Sequence, residues 1–243
     1  MPSLAQRLLL DLKPSPATAD DNRAEATNPI ASWKLNETSG STITDSSGNG
    51  RHGSYSNVTL NAGVSPFGDP APLFVPASNS YGNLYSASLA SAFDFDEGCM
   101  LIWAKVRAAS VWTDATARRF LLMRRDSNNQ HQMFRGTVNT RLTYGHTAGA
   151  NANTQLYDTA SPTGWFSLMM SWSLSGNTID YYFNGVSVGS DSGNVIATGS
   201  GLDASLTLLG AASTTTLHWD GYLSRARLWD KPADASMIAL GVL

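Results

Sequence analysis

Residues 30–53 constrain this chain more than any other stretch. Ile30-Ala31-Ser32-Trp33-Lys34-Leu35-Asn36-Glu37 alternates apolar and polar side chains. A two-residue period of that kind belongs to a half-buried strand. A second run follows, Asp45-Ser46-Ser47-Gly48-Asn49-Gly50-Arg51-His52-Gly53, with three glycines and four small polar residues in nine positions. Neither a helix nor a strand tolerates that density of flexible, backbone-competing residues, whereas a tight irregular loop needs it. The pattern is therefore a strand with an inward tryptophan, closed by an elaborate turn.

The same grammar repeats downstream. Strand-length apolar runs stand at 72–75, 82–86, 99–107, 119–124, 132–135, 140–145, 165–174, 178–183, 186–189, 206–209 and 219–229, separated by Gly, Asn, Asp and Ser clusters. Phe183-Asn184-Gly185-Val186 predicts a hairpin, because Asn-Gly favours the turn that matches strand twist. Met170, Trp172 and Leu174 share one face, with Ser171 and Ser173 on the other. In the last strand Tyr222, Ser224, Ala226 and Leu228 alternate with Leu223, Arg225, Arg227 and Trp229. A short helical turn is expected over 233–240. Helix and strand do not alternate, which argues against a parallel sheet and for an all-β antiparallel sandwich.

Residues 1–28 read differently from the rest. Leu4, Leu8 and Leu12 recur every four residues and, with Leu9, predict a short amphipathic helix ending before Pro14. The polar, proline-containing stretch 14–22 reads as a linker. The expected organisation is an anchoring arm and linker at 1–28 and one sandwich domain at 29–243.

Bulk properties exclude several functions. Net charge is −3 and only 14% of residues are charged, so no basic field exists to hold nucleic acid. Cys99 is the single cysteine, which rules out an intrachain disulfide and a four-thiolate zinc site. Its neighbours Met100-Leu101-Ile102-Trp103 predict a buried, inert thiol. No apolar run is long enough to span a bilayer, and Asp11 and Lys13 interrupt the only leucine run near the N-terminus. Neither a membrane nor an export signal is expected.

Five motifs in register resemble the laminin-G-like (concanavalin A-like) jelly-roll family across residues 30–240. They are the opening strand and Asp45-to-Gly53 loop; Leu73-Phe74 with Tyr81; Met100-Leu101-Ile102-Trp103-Ala104-Lys105; Trp165-Phe166-Ser167-Leu168 with Ile179-Asp180-Tyr181-Tyr182-Phe183-Asn184-Gly185; and Leu208-Leu209-Gly210 with residues 219–229. The resemblance implies a jelly-roll β-sandwich that binds sugars or proteins and only sometimes cuts them. Fold alone does not assign function, so the site must.

Catalytic relatives of this fold carry Glu-x-Asp-x-Glu on one strand face, and glycoside cleavage needs a carboxyl pair. This chain has three glutamates, Glu25, Glu37 and Glu97, without that spacing. The acidic cluster Asp94-Phe95-Asp96-Glu97 reads as a solvated turn. Gly185-Val186-Ser187-Val188-Gly189 matches a hydrolase pattern, but its setting is a hairpin instead of a strand–turn–helix elbow. His52, His131, His146 and His218 lack metal-ligand spacing.

Calcium is the ion to consider. Asp45, Ser47 and Asn49 offer oxygens at alternate positions before Gly50, as in half a calcium loop. The twelfth position is Ser56, not an acid, and relatives' closing-strand Asp is Ser224 here. The alternative is an Asx-turn in which Asp45 accepts backbone N–H groups.

Sugar binding would use aromatic faces on rim loops. Trp112 in the polar stretch 109–114, with Asp114, is the first candidate; Tyr144, His146 and Tyr157, flanking the Gly/Ala/Asn-rich loop 145–154, are the others. Trp33, Trp103, Trp165 and Trp172 sit in strand patterns and read as core.

These features together lead to a non-catalytic binding protein, displayed on a bacteriophage virion as a decoration, head-fibre or tail-associated protein. Residues 1–28 would hold other virion subunits, the sandwich would meet glycans, and the chain would form a homo-oligomer. The rivals are a purely structural capsid-stabilising protein, a glycan-active hydrolase and an extracellular adhesin.

Overall fold

A computed structural model describes residues 15–193 and 196–243. The leucines of the expected arm, Leu4, Leu8, Leu9 and Leu12, lie outside the described residues. In chain order the strands are β1 (Ala31–Trp33), β2 (Thr42–Ile43), β3 (Gly53–Ser56), β4 (Thr59–Val64), β5 (Pro70–Phe74), β6 (Tyr81–Asn83), β7 (Glu97–Val106) and β8 (Arg118–Asp126). They continue as β9 (Asn129–Arg135), β10 (Arg141–Ala148), β11 (Asn151–Asp158), β12 (Phe166–Ser173), β13 (Thr178–Phe183), β14 (Val186–Ser192), β15 (Leu208–Leu209) and β16 (Gly221–Trp229). Among the described residues three α-helices join them: α1 (Pro16–Ala26), α2 (Ala87–Ala92) and α3 (Ala235–Ala239).

Among the described residues, the strands form two eight-stranded antiparallel sheets. The first runs β14-β13-β12-β7-β16-β5-β4, with β1 also paired to β16; the second runs β11-β10-β9-β8-β15-β6-β3-β2. The all-β antiparallel jelly-roll sandwich expected from the sequence is what forms. The first and last strands meet, with Ala31, Ser32 and Trp33 opposite Leu228, Arg227 and Ala226. Asn184 (φ 50°) and Gly185 (φ 72°) take the left-handed conformations that the predicted β13–β14 hairpin requires.

The space between the sheets is filled by alternating strand residues. Met100, Ile102, Ala104 and Val106 of β7 face Phe120, Met123, Met133, Leu142 and Tyr144 from the second sheet. Gly98 leaves room for Trp172: a Cβ there would lie 2.3 Å from the indole. Gly98→Ala is therefore expected to destabilise by about 1–3 kcal/mol through overpacking, readable as a lowered urea midpoint.

The first sheet is buried on its other face as well. Cys99, Leu101, Met169 and Trp229 point away from the sandwich core and pack with Ala24 of α1 and Met237 and Leu240 beside α3. Burial pushes the Cys99 thiol well above its ordinary range.

Four expectations need correction. Of the stretch expected as a linker, residues 16–22 are helical instead: Ser15 caps the helix by accepting the Thr18 N–H at 3.1 Å, and Pro16 occupies the first helical turn, where its missing N–H costs nothing. The stretch 145–154 is not a loop: it is the β10–β11 hairpin, tightened to a turn at Gly149 (φ 60°) and Ala150. The regular alternation in the last strand breaks at Arg225 (φ 50°), where the β16–β7 register shifts. That bulge sends Leu223 into the core with Ala226 and Leu228, leaving Arg227 and Trp229 on the opposite face. Trp165 is half-buried just ahead of β12, its indole N–H donating to the Val64 carbonyl at 3.0 Å, and is not core.

Candidate functional site

The aromatic rim expected from sequence does not form. Trp112 is fully buried against Phe166, and its indole N–H donates to the Pro162 carbonyl at 2.9 Å. Tyr144 is fully buried with its hydroxyl donating to the Tyr182 carbonyl at 2.7 Å, and burial raises it well above the ordinary phenol range. His146 stacks on His131 inside the core. Tyr157 is partly buried against Phe183, with centroids 5.1 Å apart. The buried rings of Trp112, Tyr144 and His146 offer no face to a sugar, and Tyr157 packs against Phe183 apart from them. Asp114 accepts from Arg118 (2.7 Å) and faces Arg135 (3.3 Å), which places it as an ion-pair partner that anchors the 113–118 turn.

Asp45 sits where the sequence puts it and does what the Asx-turn alternative describes. One carboxylate oxygen accepts the Ser32 and Ser47 N–H groups at 3.0 and 2.9 Å, and the other accepts the Arg51 N–H and Ser47 hydroxyl, both at 2.9 Å. The Asn49 amide donates to the Ile30 carbonyl at 3.0 Å. The same loop is stitched by the Trp33 indole N–H, which donates to the Arg51 carbonyl at 2.8 Å. A carboxylate already accepting four hydrogen bonds has little to give a cation. Chelation with EDTA is accordingly expected to move the melting temperature by less than about 1 °C, and a drop of several degrees would show an ion on this loop.

The acidic cluster is a turn. Asp94 accepts the Asp96 N–H (2.9 Å) and Asp96 accepts the Gly199 N–H (2.7 Å). Ser187 lies on β14 directly after the hairpin turn, on a strand and not at an elbow. Among the described residues no group of three or more His, Cys, Asp or Glu side chains is placed to hold a metal.

The outward face of the second sheet carries a different constellation. Side chains of β8–β11 that alternate with the core-facing Met133, Leu142 and Tyr144 come to this surface. Register sets Arg119 opposite Phe134, Phe134 opposite Thr143, and Thr143 opposite Leu156, so four residues form a straight row across four strands. The next row is Leu122, Gln132, Gly145 and Thr154. Gly145 matters here, because a Cβ would stand 2.9 Å from Gln132 and lift its amide off the sheet. The first row and Thr154 of the second, with Ala117, the 136–138 turn and Arg141, line an open hollow of about 380 Å³. Val138 is 51% exposed and Leu156 48%, giving the hollow an apolar rim.

Its electrostatics centre on Arg119. The guanidinium lies over the Phe134 ring, 3.9 Å from the centroid. Its Nε and Nη1 are covered and donate to no acceptor among the described residues. Burial without a counter-ion pulls the group down to about 10. Arg141 is different: it pairs through Nε and Nη2 with both oxygens of Asp158, at 2.8 and 3.0 Å. A guanidinium stacked on a ring, with threonine hydroxyls and apolar side chains around an open hollow, makes a surface suited to a hydroxyl-rich ligand. Sequence reading passed over this row. Its one signal is that Phe134 shares a strand face with Gln130 and Gln132, where an aromatic is out of place.

Two packed antiparallel sheets define a lectin-like β-sandwich, and one outer face carries an open hollow. The family model described as "Concanavalin A-like lectin/glucanases superfamily" (Laminin_G_3) matches residues 77–239, and the chain belongs to that family. No curated protein matches it. Among solved structures, domain 4 of AbnA, a GH43 extracellular arabinanase from Geobacillus stearothermophilus solved with arabinotriose, is 16% identical with a TM-score of 0.63, covering 88% of this chain and 98% of that one. The binding domain of botulinum neurotoxin DC, solved with rat synaptotagmin II, is 12% identical with a TM-score of 0.64, covering 88% of this chain and 51% of that one. The serotype G neurotoxin binding domain is 16% identical with a TM-score of 0.60 over 87% and 50%. The chain thus spans about half the length of the neurotoxin binding domains it resembles.

Proposed function

We propose that this protein is a non-catalytic saccharide-binding domain whose ligand lies on the outward face of the second sheet. The observation that carries this reading is the row Arg119, Phe134, Thr143 and Leu156 lining the hollow. The arabinotriose in the similar AbnA domain supports it. Acidic side chains engaged in local hydrogen bonds, such as Asp94 and Asp96, support binding over cleavage.

A glycan array probed with the full chain tests the reading. Phe134→Ala is expected to weaken any glycan captured by about tenfold, near 1.4 kcal/mol, with no reducing ends released by the parent protein. Capture of no glycan, or capture untouched by Phe134→Ala, counts against this seat; release of reducing sugar counts against the non-catalytic part.

Display on a virion surface as a homo-oligomer, anchored to other virion subunits through Leu4, Leu8, Leu9 and Leu12, is the wider form of the same proposal. Because α1 packs on the sandwich, the informative truncation removes residues 1–14 only. Recovery of that truncated chain on intact particles rejects the anchoring role, and secretion to the medium favours the extracellular alternative.

A further inference from the structure

We propose that the hollow selects an acidic saccharide, seating a carboxylate or sulfate group against Arg119. This inference rests on the saccharide-binding reading and narrows its ligand class.

The argument starts from what Arg119 lacks. On the same sheet Arg118, Arg135 and Arg141 each face an aspartate. Arg119 faces none among the described residues, and its side chain makes no hydrogen bond to them; its contact is the Phe134 ring beneath it. Stacking occupies the flat face of a guanidinium and leaves its in-plane N–H edge for an acceptor. Two of the three nitrogens are already out of water, so much of the cost of drying the cation is met by the fold before any ligand arrives. An anion approaching the remaining nitrogen, Nη2, meets an under-solvated positive charge in a hollow whose other cation, Arg141, is neutralised by Asp158. Charge-assisted hydrogen bonds of this kind are roughly twice as strong as neutral ones. Around that point Thr143 and Thr154 supply hydroxyl groups for sugar hydroxyls, and Phe134 and Leu156 supply apolar contact. An unpaired cation among sugar-compatible groups is complementary to an acidic saccharide more than to a neutral one.

The absence of a counter-ion also makes the test clean. Arg119→Met keeps the stem over Phe134 and orphans no acid, so the variant is expected to fold with a melting temperature at or above the parent's. Calorimetric titration of the full chain uses three probes: trigalacturonate for a carboxylate, a heparin-derived tetrasaccharide for a sulfate, and arabinotriose as neutral. The expected result is that one acidic probe binds at least about tenfold tighter than arabinotriose, loses that advantage in Arg119→Met, and weakens as salt is raised. Whichever acidic probe binds identifies the anionic group. Equal binding of an acidic probe by parent and Arg119→Met, or preference for arabinotriose in the parent, overturns the acidic selection while the saccharide seat stands. Failure of all three probes, together with an empty glycan array, overturns both.

Discussion

Replacing Asp20 with alanine is expected to cost about 3–5 kcal/mol of folding stability. Asp20, Arg225 and Arg227 are all fully buried. One Asp20 oxygen accepts from Arg225 Nε at 3.1 Å and from Arg227 Nη2 in a shorter contact. Removing the carboxylate does not affect the two arginines equally. Arg225 keeps Asp69, Asp21 and the Lys34 carbonyl. Arg227 pairs only with Asp20 among the described residues, and its Nε has no acceptor even in the parent. Burial already pulls Arg227 below the ordinary guanidinium range, with Asp20 opposing that pull. Without Asp20 the charge stands in a dry site with no compensation, and a domain of ordinary stability, about 5–15 kcal/mol, loses a large share of it. Urea unfolding measures the cost. A second variant isolates the cause: Asp20→Ala with Arg227→Met removes both sides of the pair and is expected to recover at least half the loss. A cost below about 1 kcal/mol, or no recovery in the double variant, would mean that α1 docks through its apolar contacts alone.

The same cluster marks where sequence reading stops. β7, β12 and β16 were legible because their apolar runs, such as Met100-Leu101-Ile102-Trp103, are buried on both sides and announce themselves by composition. The edge strands β2, β4 and β11 were not, since residues such as Asn151-Ala152-Asn153 disfavour a strand and owe their conformation to a paired neighbour. Nothing in Leu223-Ser224-Arg225-Ala226-Arg227 signals a bulge at Arg225, because the partners that compensate a buried arginine there, Asp20, Asp69 and the Lys34 carbonyl, all lie more than 150 positions away in sequence. Trp112 misled for the opposite reason. Its sequence neighbours are polar, but its spatial neighbours are Phe166 and the Pro162 carbonyl, which arrive from more than fifty positions away in the first case and fifty in the second. Core and outline were therefore readable from local pattern, while the candidate site, assembled from four strands in register, was not.

Acid is expected to weaken the fold through a buried histidine pair that local pattern also hid. His131 is sandwiched at 4.1 Å from Trp172 and 5.1 Å from Phe95, and meets His146 through their Nδ1 atoms at 3.0 Å. His146 Nε2 accepts the Ala197 N–H at 3.3 Å, so its proton sits on Nδ1 and is donated to His131 Nδ1. That arrangement requires both rings to be neutral. Burial, and secondarily the neighbouring His146, hold His131 well below the usual histidine value of 6.5. The sign follows directly. In the unfolded chain His131 takes up a proton as pH falls through about 6.5, while in the folded protein it does not, so stability present above that pH is lost below it. Each pH unit below the unfolded value removes about 1.4 kcal/mol per excluded proton, so the drop from pH 7 to pH 5 is bounded at about 2 kcal/mol from His131 alone, the limit in which the folded protein takes up no proton there. Carboxylates with lowered values, such as Asp234, add their share only at lower pH. Chemical unfolding at pH 7 and pH 5 measures the slope. His131→Asn keeps an acceptor near the Nδ1 position but has nothing to titrate; it is expected to be less stable at both pH values and to have lost up to about 2 kcal/mol of the pH dependence. An unchanged slope in that variant, or an NMR titration of His131 near 6.5 in the folded protein, would show that the pair tolerates a proton and that the second sheet is not closed over it.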